Sequence, residues 1–426
     1  MTGRRFRTLT QLSTISLVIL TLLLCRSYVA SQLYTTADLD KAHDKPVEEN
    51  LPHIEPKTLP DGNSTTTYIQ AILKPDNNQL PKLVCPRPDL SRYEYLKAPK
   101  VTESRIQYFF ALNLRECLQL LPRLLGSIVQ TIRFLGPEHC AISIVEGNSA
   151  DGTSEVLAAL QPELDRLLGA QQVHFVLENG IRPLEGEGMR FKKLAELRNL
   201  ALQPMLDNPE QHKDATVVFI NDVSICLDDI LELIHQRRYL EADMTCAMDW
   251  VPGADGPIFY DSYVSRSIIG DLFFNIPPET ASYSEATNLF WNEPRARERL
   301  AAHQPFQVFS CWNGAVAFTA MPVVEKKVAF RSTYEEKREC FQAEPELFCK
   351  DMWWQGHGRI AVVPSVNLGY SNDGSKMAKE KKGYTSDLVA KNAEQEKIDW
   401  AGPPPMVKCM PTFTDQTWRP WNESLV

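Results

Sequence analysis

Two polar clusters follow short apolar runs in this chain, and their residue types suit the handling of charged, oxygen-rich groups. After the run AISIV (141–145) come Glu146, Gly147, Asn148, Ser149, Ala150, Asp151, Gly152 and Thr153; after TVVFI (216–220) come Asn221, Asp222, Val223 and Ser224. A carboxylate beside an amide oxygen, as in Asn221-Asp222, offers the hard oxygen ligands that Mg2+ and Mn2+ take. Between the clusters lies Arg198-Asn199, and a guanidinium can hold phosphate oxygens two at a time. Further along, Glu344, Glu346 and Asp351 precede Trp353, Trp354 and the turn Gly356-His357-Gly358. Carboxylates at that spacing lie along one helical segment and can take a proton from a hydroxyl.

Several other chemistries are excluded by what the same segments lack. The stretch 146–153 has two glycines and Thr153 but not the lysine of a phosphate-binding loop, and Gly186-Glu187-Gly188 lacks the third glycine of a dinucleotide fingerprint. No GxSxG nucleophile elbow occurs. The ten cysteines include no CxxC pair and no Cys/His cluster at zinc spacing.

The elements that must position these residues alternate between β-rich runs and amphipathic stretches, which predicts an α/β fold with a mainly parallel sheet. Strands are expected at 107–112, 141–145, 173–177 and 216–220. Leu118, Leu121, Leu125, Ile128, Ile132 and Leu135 recur at helical spacing, with further helices over 154–168 and 191–202. Pro122 either begins the first helix or kinks it. In such a sheet ligands gather at the carboxyl ends of the strands, where both polar clusters stand. Asp228 is the expected cap of a helix beginning near Leu227.

The 426 residues are 43% hydrophobic and 23% charged, the profile of a folded globular chain, with a net charge of −9 that disfavours nucleic acid. Thr8–Cys25 is an uncharged run of 18 residues, about 27 Å as a helix. Three arginines precede it and one follows, so residues 1–26 are expected to form a cytosolic tail and membrane anchor of type II topology. A signal peptide cleaved near Tyr28–Ser31 is the alternative. Residues 27–100 hold nine of the 29 prolines without a sustained period and predict an extended lumenal stem. A catalytic head follows over 101–400 and a proline-rich tail over 401–426. Cys340 and Cys349 are the nearest candidates for a disulfide, and Asn63-Ser64-Thr65 and Asn422-Glu423-Ser424 are glycosylation acceptors.

The phrases FFALNLRE, ISIVEGNSADGTSEVL, LAELRNLAL, VVFINDVSICLDDI, FYDSYVSRSIIGD, FSCWNGAVAF and CFQAEPELFCKDMWWQGHGRIAVVPSVNLGY together resemble the fungal cryptococcal-type mannosyltransferase family over roughly 104–372. That resemblance implies a GT-A-like, Rossmann-type nucleotide-sugar fold. It also implies a Golgi enzyme that moves mannose from GDP-mannose to an α-mannoside acceptor, forming an α-1,3 linkage. A nucleoside diphosphate leaving group calls for Mn2+ or Mg2+. GT-A enzymes commonly offer DxD, and this chain has Ile220-Asn221-Asp222 in its place. Under this resemblance Asp222 holds the metal with His357. Glu146, Asn148, Asp151, Arg198, Asn199, Asn221, Trp312 and Asn313 bind the donor, and Glu344, Glu346 and Asp351 act on the acceptor side. Asp249, Asp261, Arg266 and Asp271 fall between the half-sheets, where donor sugar and acceptor commonly meet. A related transferase with another sugar nucleotide, or a catalytically silent lumenal scaffold, is the alternative.

Overall fold

The computed structural model describes residues 63–97, 106–183, 189–391 and 396–426. The expected anchor, Thr8–Cys25, lies outside them, and no helix among the described residues is long and apolar enough to cross a membrane. In chain order the main elements are α1 (Asn63–Leu73), β1 (Tyr108–Leu114), α2 (Leu121–Leu135), β2 (Cys140–Glu146), α3 (Thr153–Leu168), β3 (Val173–Val176) and α4 (Arg190–Asp207). They continue with β4 (Thr216–Ile220), α5 (Leu227–Tyr239), β5 (Met244–Gly253), β6 (Gly256–Phe259), β7 (Arg266–Ser267), α6 (Pro294–Ala301), β8 (Phe306–Ser310) and β9 (Ala315–Thr319). Last come α7 (Glu344–Trp354), β10 (Ile360–Gly369), α8 (Asn372–Lys382), α9 (Thr385–Lys391), β11 (Met406–Cys409) and β12 (Thr417–Pro420).

The sheet runs β3-β2-β1-β4-β9-β5-β10-β8-β7, with β6 paired to β5. β3, β2, β1 and β4 are parallel, as are β5 and β10, while β9 enters antiparallel between β4 and β5. The fold is therefore mixed α/β with a largely parallel central sheet. Its strands are buried along nearly their whole length, which is why β1, β2 and β4 read as continuous apolar runs rather than alternating ones. Pro122 begins α2 rather than kinking it, since a first-turn proline loses no helical hydrogen bond. Residues 276–284 form a separate short turn, in which Thr280 and Ala281 both donate to the Pro277 carbonyl.

Residues 63–97, expected in the stem, belong to the head. Ile69, Ala71 and Ile72 of α1 are buried, and Gly126 lets α2 come close to the Ile72 carbonyl, 3.4 Å from where a Cβ would stand. Cys85 is disulfide-bonded to Cys226. Arg92 donates twice to the buried Glu232, at 3.0 Å each, and the Tyr93 hydroxyl donates to the same carboxylate at 2.8 Å. Composition concealed this, because a few apolar positions and one cross-link anchor an otherwise polar segment. A fragment starting at residue 100 should consequently melt well below one starting at 56, since it uncovers α2 and loses a disulfide of about 2–4 kcal/mol. Calorimetry of the two fragments checks this.

Two further disulfides, Cys246–Cys311 and Cys340–Cys409, are formed, and Cys349 is a buried free thiol. The expected Cys340–Cys349 pairing is thus corrected: Cys349 lies within α7, facing the Cys311 carbonyl at 3.6 Å. The partner Cys409 comes instead from the C-terminal segment, which is folded back as the hairpin β11–β12. The cap of α5 is also corrected. Asp229 accepts from the Cys226 amide at 2.8 Å and ion-pairs with buried Lys379, whereas Asp228 turns away to the Ser386 amide. Burial and the adjacent Asp229 push the Asp228 carboxyl up to about 7.

Candidate active site

The carboxyl ends of β4, β5 and β10 converge on one reversal of chain, Trp312-Asn313-Gly314, which leads into β9. The Asn221 amide donates to the Gly314 carbonyl at 2.9 Å, and its side-chain oxygen accepts from the Trp312 indole at 3.0 Å. Gly314 has φ +82° and a Cβ there would lie 3.1 Å from Val223 and 3.5 Å from Asp249, so the reversal passes tightly between two site strands. Asn313, also at positive φ and fully buried, ties three segments together. Its amide donates to Asp261 at 2.9 Å, its side-chain nitrogen to the Ala247 carbonyl at 2.9 Å, and its oxygen accepts from Ser265 at 2.8 Å.

Within this framework the Tyr260 ring packs 5.0 Å from Tyr370, whose hydroxyl donates to Asp249, and the Tyr260 phenol is raised by burial and then by the charges of Asp249 and Asp261, with Arg190 opposing and Asp222 adding. Asp249 is completely buried. One oxygen accepts from the Tyr370 hydroxyl at 2.6 Å, and the other has no hydrogen-bond partner. Burial, with Asp261 nearby, holds its carboxyl well above the usual range. Asp261 is pushed up to about 6, again by burial first, against the pull of the Asn313 amide and Arg198. Asp222 is half-buried. The arrangement offers one fully buried acid, Asp249, a second acid raised toward neutrality, Asp261, and the more accessible Asp222 after the end of β4.

Both raised carboxyls have a consequence for stability. Above the ordinary Asp range near pH 4, up to about 6 for Asp261 and in the same direction for Asp249, the unfolded chain releases protons that the native state keeps. Stability therefore falls as pH rises through that window. Asp249→Asn keeps the acceptor for Tyr370 and removes the titration. Its melting temperature, relative to the unaltered protein, should gain as the pH rises above the ordinary Asp range, about 4; parallel pH profiles would contradict this.

The remaining candidates are distributed elsewhere or are held in place. Arg198 is 9% exposed, ion-paired with buried Glu344 at 2.8 Å and seated 4.5 Å from the Trp312 ring centroid. Trp312 itself is 1% exposed and packs edge-on against Phe219 and Phe330, so its ring is core and not an open sugar platform. Asn199 exchanges both side-chain hydrogen bonds with the Phe330 backbone. Glu146 accepts from the amides of Asn148 and Ser149 at 2.8 and 2.9 Å, and Asp151 from the Leu118 and Thr153 amides, so these acids shape the turn after β2. Asn148 sits at positive φ within that turn. Glu346 is buried against Arg266 at 3.2 Å, with its carboxyl raised to about 8 by burial.

Two expectations are corrected outright. Asp351 has both oxygens bound by Arg331, at 2.7 and 2.9 Å, in a network with Glu339 and Lys350. It lies about two helical turns from Glu344, the residue of α7 that reaches the site. The His357 imidazole is hydrogen-bonded to the Asp243 carboxylate at 3.1 Å, just before the starts of β5 and β10. Those starts mark the opposite end of the sheet from Asp222, so His357 cannot share an ion with it. The helical spacing of 344–357 placed these residues along one segment without revealing that only its first turn faces the site. Tyr260, Tyr370 and Arg190 were not singled out by sequence. Only the strand-end position of Tyr260 and Tyr370, next to Asp261 and Gly369, signalled them.

The profile of the family described as Cryptococcal mannosyltransferase 1 matches residues 107–351. Alpha-1,3-mannosyltransferase CMT1 of Cryptococcus neoformans is 36% identical over 368 residues, which span 79% of this chain and 77% of that protein. Among solved structures, S. aureus TarS in complex with UDP aligns with a TM-score of 0.35 at 13% identity, over 62% of this chain and 60% of that chain. The mannosyltransferase PcManGT from Pyrobaculum calidifontis, in complex with GDP-Man and Mn2+, aligns with a TM-score of 0.36 at 13% identity, over 65% of this chain and 62% of that chain.

Proposed function

The chain belongs to the Cryptococcal mannosyltransferase 1 family, and from that premise we propose that it transfers mannose from GDP-mannose to a hydroxyl of an α-mannoside acceptor, forming an α-1,3 linkage. The observation that carries the reading is the 312–314 reversal at the strand ends, where Gly314 lies against Val223 and Asp249, the Asn313 amide donates to Asp261 and the Asn221 amide, next to Asp222, donates to the Gly314 carbonyl. An α-linked donor and an α product mean retention of configuration.

A divalent ion, Mn2+ or Mg2+, fits this site by its charge: Asp222, Asp249 and Asp261 lie at the strand ends by the 312–314 reversal, and burial raises the carboxyls of Asp249 and Asp261, a cost that a cation would offset. When bound, such an ion neutralises the departing diphosphate. No three His, Cys, Asp or Glu groups among the described residues could hold a metal by themselves. Asp222 is then the principal protein ligand, and donor oxygens and water supply the others, a common arrangement for Mg2+. The turn 146–153 receives the nucleoside. Arg190, exposed at the start of α4, takes phosphate oxygens in the role that sequence assigned to the occupied Arg198. Asp261, near 6, is positioned to accept a proton from the acceptor hydroxyl.

Three disulfides support an oxidising compartment, in keeping with a Golgi enzyme held by an anchor at Thr8–Cys25 with its head in the lumen. Ligand-induced thermal stabilisation tests the donor. With Mn2+ present, GDP-mannose at a hundredfold excess over its dissociation constant should add about 2.7 kcal/mol of apparent stability. UDP-sugars should add little. Stabilisation by a UDP-sugar instead would replace the donor assignment.

A further inference from the structure

We propose that the outer face of the C-terminal hairpin, centred on Trp418 and Lys408, is a second glycan-binding surface that holds sugar residues of the acceptor beyond the one being modified. This rests on the glycosyltransferase reading above. In β11–β12, Lys408 stands directly opposite Trp418. Successive side chains of a strand point to opposite faces: Val407 and Cys409 are buried, whereas Met406 and Trp418 are 37% and 45% exposed. The Lys408 ammonium sits 4.9 Å from the Trp418 ring centroid and ion-pairs with Asp271 at 3.0 Å. Asp271 in turn accepts from the Asn292 side chain at 2.8 Å. An exposed indole is thus fixed beside a cation, which is held by a buried carboxylate and through it by an amide.

The hairpin is rigidly attached. Cys409 is bonded to Cys340, the Lys408 amide donates to the Gly270 carbonyl at 2.7 Å, and buried Arg266 donates to the Lys408 carbonyl at 2.8 Å. It also continues from the candidate site. Phe413, in the bend of the hairpin, stacks on Tyr263 at 5.0 Å and 30°, and Tyr263 lies two residues after Asp261. Trp418 belongs to the second cross-strand pair from that bend, so a chain of sugars leaving the site along the hairpin meets it.

The chemistry selects a carbohydrate. A pyranose has an apolar C–H face that matches an aromatic ring and a rim of hydroxyls that match charged and amide groups. A protein partner would bury about 800 Å² on each side, and Met406 with Trp418 offers far less apolar surface.

Isothermal titration of the full chain with free α-mannotetraose, without donor, tests this. Saturable binding is expected, weakened at least tenfold by Trp418→Ala and partly restored by Trp418→Phe. Asp222→Asn should bind as the unaltered protein does, so the result does not depend on catalysis. Trp418→Ala should keep its melting temperature and should raise KM for mannotetraose while leaving that for a monomeric mannoside unchanged. Absence of binding by the unaltered protein, or equal binding by Trp418→Ala, would overturn the proposal. So would a loss of self-association in Trp418→Ala by sedimentation, which would make the face an interface between copies. Failure of the transferase reading itself would appear separately, as no transfer to any acceptor.

Discussion

Asp222→Asn should leave the head folded and lower kcat/KM for mannosyl transfer by about 10²- to 10⁴-fold, that is about 3–5 kcal/mol of lost transition-state stabilisation. The side chain is half-buried at the end of β4, so an amide of equal size fits the same space. What the change removes is the negative charge. If Asp222 holds the ion that faces the diphosphate, the leaving group departs without that neutralisation, and raising the Mn2+ concentration should recover only a small part of the rate. Asp255→Asn, in the exposed β5–β6 turn, is the control. The buried Asp228 would be a poor one, since its carboxyl already sits near 7 against Asp229. Near-normal transfer by Asp222→Asn would remove the residue from the metal site.

Arg198→Ala should act on folding instead. The guanidinium is held by Glu344 at 2.8 Å, lies 4.5 Å from the Trp312 ring and 5.2 Å from Phe219, and touches Asn221 at 3.5 Å. Its removal strands the buried Glu344 carboxylate and opens space among three aromatic rings. Deleting one partner of a buried ion pair costs about 3–5 kcal/mol, so a large drop in melting temperature is expected. Arg198→Ala with Glu344→Leu should regain part of it, because both charges are then gone. Donor affinity measured below the lowered melting point should change by less than that of Arg190→Ala. An unchanged melting temperature would return Arg198 to the phosphate-binding role that its sequence position suggested.

The contrast between these two residues marks what the sequence could convey. Strand positions 216–220 and 141–145 and the helix through Leu121–Leu135 were legible because a doubly covered parallel sheet demands unbroken apolar runs and its helices demand a 3.6-residue period. The candidacy of Asp222 followed from its place at a strand end. Partnerships across the fold were not legible. Arg198 meets Glu344 only because α4 and α7 pack beside one another, and no spacing within either segment encodes that. The same holds for Cys340 with Cys409, for Asp351 with Arg331, and for the polar segment 63–97, which two buried contacts and a disulfide draw onto the head. Asp249 and Asp261 looked like isolated acids in sequence. Their raised carboxyls arise from burial where the β5–β6 hairpin brings Asp249 and Asp261 near one another, with the Asn313 amide pulling Asp261 the other way.

The most direct test of the account is transfer itself, measured with the full chain, radiolabelled GDP-mannose and α-mannobiose, with and without Mn2+. The account predicts a mannosylated product carrying a new α-1,3 bond, formed from GDP-mannose in preference to UDP-sugars and suppressed by chelation. Transfer from a different sugar nucleotide, or none from any, would contradict it.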